Sequence, residues 1–156
     1  MFVKDIMNKS VITVKRSTTL AEILEMFQKF HTFPLVPVVT KNGEMAGAIS
    51  FKNLIESFQE KGPDFIKHMP FVEKEEINIF ELEIDEDTCL LLIADDIMEK
   101  KFTAIYEDDS VEKAYTQMQL LSVERLPVIN RKNELTGMIG TFDILLAVFK
   151  EKGLCK

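Results

Sequence analysis

Cysteine and histidine are scarce, two of each in 156 residues. Cys89 and Cys155 have no CxxC spacing, and His31 and His68 lack ligand partners at helical or hairpin spacing, so neither a metal site nor a redox pair is expected. Glycine is thin at six residues, with no glycine-rich phosphate loop, and no nucleophile, base and orienter set stands out, so the chain does not read as an enzyme. No apolar run approaches the roughly 18 residues of a membrane span. Met1-Phe2-Val3-Lys4-Asp5 is no secretory leader, and a cytoplasmic location is expected. Positive charge is the minority, 19 Lys and Arg against 26 Asp and Glu for a net −7. A nucleic-acid binder needs a basic face, so that class is not expected, and an anionic ligand must meet locally placed cations.

What the chain does have is a duplication. Asp5-Ile6-Met7, Val11 to Val14, a helical stretch, Val36-Pro37-Val38-Val39 and Gly47-Ala48-Ile49-Ser50 return as Asp96-Ile97-Met98, Phe102 to Ile105, a second helical stretch, Leu126-Pro127-Val128-Ile129 and Gly137-Met138-Ile139-Gly140. Self-similarity at a fixed offset marks a repeated structural unit. From Met7 to Met98 the offset is 91, and Leu20, Ile23, Leu24, Phe27 and Phe30 map at that offset onto Val111, Ala114, Tyr115, Met118 and Leu121. From Pro37 to Pro127 it is 90, so a single residue separates the copies. A chain of this length suits one domain or two halves sharing a core.

Each copy opens with a β-rich run, Val11 to Val14 or Phe102 to Ile105, followed by a helix start. Thr19-Leu20-Ala21-Glu22 has capping-box spacing, and Asp109-Ser110-Val111-Glu112 offers Asp109 as a cap. The helices carry an apolar stripe at i, i+3, i+4, i+7 and i+10 that must face a sheet or another helix. Next come two apolar runs joined by Lys41-Asn42-Gly43-Glu44 or Arg131-Lys132-Asn133-Glu134, read as hairpins, and a last helix from near Ser50 or Gly140.

The order strand, helix, strand, strand, helix, with the Asp-Ile-Met opening, the apolar-Pro-Val hairpin and the Gly-apolar-apolar-(Ser/Thr)-x-x-Asp closing, resembles the CBS domain, named after cystathionine β-synthase. The resemblance covers one motif at 2–58 and a second at 94–150, leaving an acidic insertion at 59–93 and a tail at 151–156. Such domains occur in tandem pairs called Bateman modules. The resemblance implies an α+β fold with two motifs packed sheet to sheet about a pseudo-two-fold axis. It further implies a regulatory, non-enzymatic module whose two clefts hold an adenosine-containing ligand such as AMP, ADP, ATP or S-adenosylmethionine, with no cofactor required.

Carried onto this sequence, the ribose-facing positions are Ser50 and Asn53 in the first copy and Thr141 and Asp143 in the second. The phosphate-facing ones are Arg125 and Lys101, and the base-facing walls are Val11, Thr13, Phe102, Thr103, Pro37 and Pro127. The copies depart from the family pattern in opposite ways. The first keeps the hydroxyl at Ser50 but has Asn53 for the carboxylate; the second keeps Asp143 but has Gly140, with Thr141 one step late. An amide offers one uncharged acceptor oxygen, so the second cleft ranks first, and Arg125, with Leu35 as its counterpart, supports that ranking. The plainer readings are a helix-dipole acid for Asp143, an N-cap for Ser50, an exposed Arg125 paired with Glu124, and structural prolines.

The family's habit of pairing implies a homodimer through Ile55, Phe58, Leu146 and Phe149. Eight acids against one lysine between residues 73 and 87 read either as a solvated face or as a docking surface for a basic partner. The apolar stretches from Ile77 to Ile84 and Cys89 to Ile93 read as a β-hairpin. The competing function is a ligand-free dimerisation scaffold whose clefts have degenerated.

Overall fold

The computed structural model of the chain describes residues 1–58, 78–82 and 86–156. It contains two matched halves. In the first, β1 (Val14–Lys15), β2 (Val36–Val39) and β3 (Met45–Ile49) form a sheet in that order, with β1 parallel to β2 and β3 antiparallel to it; α1 (Val3–Ile6), α2 (Leu20–Phe27) and α3 (Phe51–Glu56) punctuate the strands. After a 3-10 turn (Ile79–Glu81), α4 (Glu86–Leu91) and α5 (Ala94–Ile97), the second half repeats the pattern. Its elements are β4 (Ile105–Tyr106), α6 (Val111–Leu121), β5 (Arg125–Ile129), β6 (Leu135–Gly140) and α7 (Thr141–Glu151).

The expected α+β architecture and its hairpins are present. Gly43 (φ 80°) and Asn133 (φ 64°) occupy the left-handed position of the two turns, where Gly and Asn are the least strained choices. Those turns meet across the pseudo-axis: Met45 N–H donates to the Asn133 carbonyl at 3.0 Å, and Leu135 N–H to the Gly43 carbonyl at 2.9 Å.

Three expectations are corrected. The β-rich runs at 11–14 and 102–105 pair only at their ends, Val14 with Val38 and Ile105 with Val128. Ala48, opposite Pro37, turns its N–H and C=O outward to Glu99, and Met138, opposite Pro127, turns its own to Asn8. The prolines therefore face β1 and β4 with a missing donor, and each parallel ladder stops there. The second long helix is capped by Ser110, whose hydroxyl accepts Lys113 N–H at 3.2 Å, not by Asp109; Thr19 and Glu22 do form the expected reciprocal cap in the first. The hairpin expected over 77–93 is not formed among the described residues: 79–81 is a 3-10 turn and 86–91 a helix, with Glu86 and Asp87 in its first turn, where the dipole favours them. Cys89 and Leu92, three apart, set its inner side on the first core. The breaks at Gly62-Pro63 and Met69-Pro70, and most of the acidic run at 73–87, lie outside the described residues.

The apolar stripes are narrower than drawn. Leu20, Ile23 and Phe27 are buried, as are Val111, Ala114 and Met118, whereas the i+4 and i+10 positions, Leu24, Phe30, Tyr115 and Leu121, are exposed in both copies.

Each half is completed by the opening segment of the other copy. Ala94, Ile97 and Met98 join the core built on β1, β2 and β3, while Val3, Ile6 and Met7 join the core built on β4, β5 and β6. The outer edge of β3 pairs with Glu99, by Ala48 N–H to the Glu99 carbonyl at 3.1 Å and the reverse bond at 2.9 Å; β6 pairs likewise with Asn8, at 2.9 and 2.8 Å. The Asp of each opening motif holds its short helix, Asp5 accepting Phe2 N–H at 2.9 Å and Asp96 accepting Ile93 N–H at 3.2 Å. The Met of each lies on a glycine: a Cβ at Gly47 would stand 2.6 Å from Met98 Sδ, and one at Gly137 2.8 Å from both Met7 Sδ and the Asn8 carbonyl. No described helix is long and apolar enough to cross a membrane.

Gly137→Ala is expected to destabilise the chain by about 1–3 kcal/mol, since backbone as well as Met7 must yield; a shifted urea midpoint checks it, and an unchanged midpoint would contradict the close approach. A second expectation concerns Asp109. Burial pushes its carboxyl up, but bonds from Lys113 Nζ at 2.7 Å and Tyr106 N–H at 3.1 Å, with the charges of Lys113 and Arg131, outweigh burial and hold it below the ordinary 3.8. A depressed folded value means stabilisation present above the unfolded value and lost as pH falls through the folded one. Asp109→Asn should therefore lower the urea midpoint at neutral pH, and its gap from the parent should shrink in strong acid.

Candidate functional site

Two clefts lie between the halves, and the exchange of opening segments decides their walls. One, about 460 Å³, gathers Asp143, Thr141, Gly140, Glu124 and Arg125 from the second copy with Asn8 from the N-terminal segment. An adjoining cavity of about 190 Å³ shares Asn8, Arg125 and Met138 with it and adds Val11, Ile12, Phe30, Pro34 and Leu35. The other cleft, about 260 Å³, gathers Ser50 and Asn53 from the first copy with Glu99, Lys101, Phe102, Thr103, Arg125 and Pro127 from the second.

The structure thus brings most sequence-expected residues to the two clefts. Pro37 and Thr13 line neither; Pro37 is fully buried in β2. Lys101, grouped in the sequence with Arg125, lines the smaller cleft with it, across from Ser50 and Asn53. Because α5 packs on the first core, the chain leaving it runs along β3, and that route was not readable from local pattern.

The positions expected to face a ribose differ in chemistry. Asp143 sits in the first turn of the eleven-residue α7, where Oδ2 accepts Gly140 N–H at 2.8 Å and Oδ1 has no hydrogen bond among the described residues. The carboxylate therefore caps the helix and retains an open charged acceptor on the cleft. Asn53 has no such reserve: its one acceptor oxygen takes both the Ser50 N–H and the Ser50 hydroxyl, each at 2.8 Å, and Ser50 Oγ accepts Asn53 N–H at 3.3 Å. The N-cap reading of Ser50 is the observed one, and what Asn53 offers the cleft is its amide N–H donors. Thr141 is also committed, its N–H to the Glu124 carbonyl at 2.9 Å and its hydroxyl to the same oxygen at 3.3 Å, so it positions the Glu124-Arg125 segment.

Charge is divided unevenly. Asp143 and Glu124 face Arg125 on the larger cleft, whereas Lys101 and Arg125 face Glu99 on the other. Arg125 is exposed and forms no ion pair with Glu124 or any other acid among the described residues. Among those residues there is also no cluster of three or more potential metal ligands. Asn8 and Glu99, both lining clefts, were missed in the sequence. The signal was there, since each directly follows the Met of an opening motif at the same 91-residue offset.

Comparison with known proteins places this geometry. The chain is 25% identical over 155 residues to protein MJ1426 of Methanocaldococcus jannaschii, covering 95% of this chain and 91% of that one. It aligns over 96% of its length with a homoserine O-acetyltransferase of Methanosarcina acetivorans at 21% identity, spanning 22% of that enzyme. Its fold matches CBSX2 of Arabidopsis thaliana, solved in complex with AMP, with a TM-score of 0.70, 20% identity and coverage of 97% and 98% of the two chains. It also matches the CBS domain pair of protein MJ0100, solved with 5-methylthioadenosine and S-adenosyl-L-methionine, with a TM-score of 0.64, 18% identity and coverage of 97% and 98%. The CBS domain profile matches residues 3–60 and again 94–150, most of the chain, and the protein accordingly belongs to the CBS domain family as a tandem pair.

Proposed function

We propose that this chain is a non-enzymatic regulatory module that binds an adenosine-containing ligand between its two CBS motifs, with the Asp143 cleft the tighter of the two. The observation that carries this reading is the open Oδ1 of Asp143, held at the N-terminus of α7 beside the unpaired Arg125. A carboxylate there can accept from both ribose hydroxyls, and each charge-assisted bond is worth about 1.5–3 kcal/mol. Ligands in the fold relatives, AMP in CBSX2 and S-adenosyl-L-methionine in MJ0100, support the class of molecule. The ligand acts as a signal, not as a cofactor, and Arg125 supplies a cation at the Asp143 cleft of an acidic chain.

The second reading is a ligand-free dimerisation scaffold. It is favoured by the closed Ser50–Asn53 arrangement, in which the amide oxygen is already saturated by the protein's own donors. Thermal-shift titration with AMP, ADP, ATP and S-adenosylmethionine separates the two, because saturation at 100 times Kd adds about 2.7 kcal/mol. No shift with any of them at millimolar concentration would favour the scaffold.

Asp143→Asn tests the site itself. It keeps an oxygen for the Gly140 N–H and removes the charge, so the melting temperature should stay near that of the parent while affinity drops about tenfold, the difference between a charged and a neutral acceptor. Calorimetric titration with AMP and S-adenosylmethionine checks it; undiminished affinity for both would remove Asp143 from the site.

We also propose a homodimer through the terminal helices. Phe149 is 40% exposed on α7, beside Leu145 at 45%, and Ile55 and Leu146 are half-buried, while Phe58 packs on the first core and is the weakest of the four candidates. Phe149→Glu should convert a sedimenting dimer to monomer; a parent chain that sediments as a monomer at micromolar concentration contradicts the proposal.

A further inference from the structure

The two clefts share one guanidinium. Arg125 opens β5 directly opposite Gly140, and a Cβ on that glycine would meet its Cγ at an ordinary contact distance of 3.5 Å, so the arginine stem runs beside the position that lacks the hydroxyl. Arg125 lines the Asp143 cleft, the adjoining cavity and the Ser50–Asn53 cleft. The pseudo-symmetric position holds Leu35, which lines the adjoining cavity and the Ser50–Asn53 cleft and brings no charge. Without Arg125 the charged groups that the described residues bring to the larger cleft would be the acids Glu124 and Asp143, and to the smaller one Lys101 balanced by Glu99.

We propose that Arg125 is a shared phosphate-binding residue that couples the clefts, so that a phosphate-bearing ligand in one weakens phosphate binding in the other. This rests on the adenosine-ligand reading above. A guanidinium fork is bidentate to one phosphate at a time, and an exposed, unpaired side chain is free to turn either way. Once it is committed to one cleft, a second phosphate enters a site with no net positive charge. By linkage the effect is reciprocal, whichever cleft fills first. A ligand without phosphate makes no claim on Arg125, so the coupling is confined to nucleotides.

Calorimetric titration of the full chain with AMP and, separately, with adenosine tests this. The clefts differ in any case through Asp143 and Asn53, so adenosine reports that intrinsic gap between the two dissociation constants. The gap for AMP is expected to be at least fivefold wider. Leu35→Arg, which supplies the second guanidinium, should narrow the AMP gap to the adenosine gap of the same variant. Arg125→Ala should bring AMP affinity in both clefts down to within about twofold of adenosine. Equal gaps for the two probes in the parent, or an AMP gap that Leu35→Arg does not move, would overturn the coupling and leave the binding module standing. Failure of both probes to bind the parent would overturn the adenosine reading and the coupling together.

Discussion

The reciprocal exchange of the two opening segments is the contact on which the rest of the molecule depends. Each three-stranded sheet would otherwise end in an open edge, β3 on one side and β6 on the other, and each core would lack one layer of apolar side chains. The exchange closes both deficits at once, with a pair of backbone bonds to Glu99 or Asn8 and with Ala94, Ile97 and Met98, or Val3, Ile6 and Met7, set into the other half. Val3 and Ala94 are wholly buried there, and at about 1.5–3 kcal/mol for a buried Val, Ile or Met such contacts rival the whole margin of stability of a small domain. Neither half has a complete core from its own residues.

The same exchange explains why the clefts are hybrids. A wall that follows α5 in the chain runs along β3, so Lys101, Phe102 and Thr103 face Ser50 and Asn53; a wall that follows α1 runs along β6, so Asn8 and Val11 face the side of Asp143. Grouping residues by their position in one copy therefore misassigns one wall of each cleft. The exchange also separates the cation Lys101 from the carboxylate Asp143, whereas Arg125 lines both clefts.

Features encoded locally were legible in the sequence. Thr19 with Glu22, the left-handed Gly43 and Asn133, and the alternation of apolar runs with turns all depend on residues within a few positions of one another, and they stand where the pattern put them. The repeat added the pairing of copies and, through the family likeness, the clefts. Features that depend on a distant partner were not legible. The short ladders at Val14 and Ile105 follow from which way Pro37 and Pro127 face within a three-stranded sheet, and α4 is helical where the acids Glu86 and Asp87 and the apolar run from Cys89 read as the turn and second strand of a hairpin. For Asp109 the choice was local but close: Ser110 is also a good cap, and Asp109 is drawn off by Tyr106 N–H and Lys113.

The duplication keeps its core and differs at the clefts, and the differences adjoin one another. Position 140 lies opposite position 125 across β5 and β6, so the glycine that lacks the expected hydroxyl is also the cross-strand neighbour of the arginine. In the first copy Ser50 keeps its hydroxyl, and the apolar Leu35 replaces the arginine on the adjoining wall. Ser50 in turn turns its hydroxyl on Asn53 and closes the small polar ring, whereas the glycine at 140 leaves one oxygen of Asp143 unengaged. Each copy therefore carries a consistent set: hydroxyl, amide and leucine in one, glycine, carboxylate and arginine in the other. Because all six residues sit at element ends and on cleft walls, outside the buried apolar layers, the fold accommodates either set.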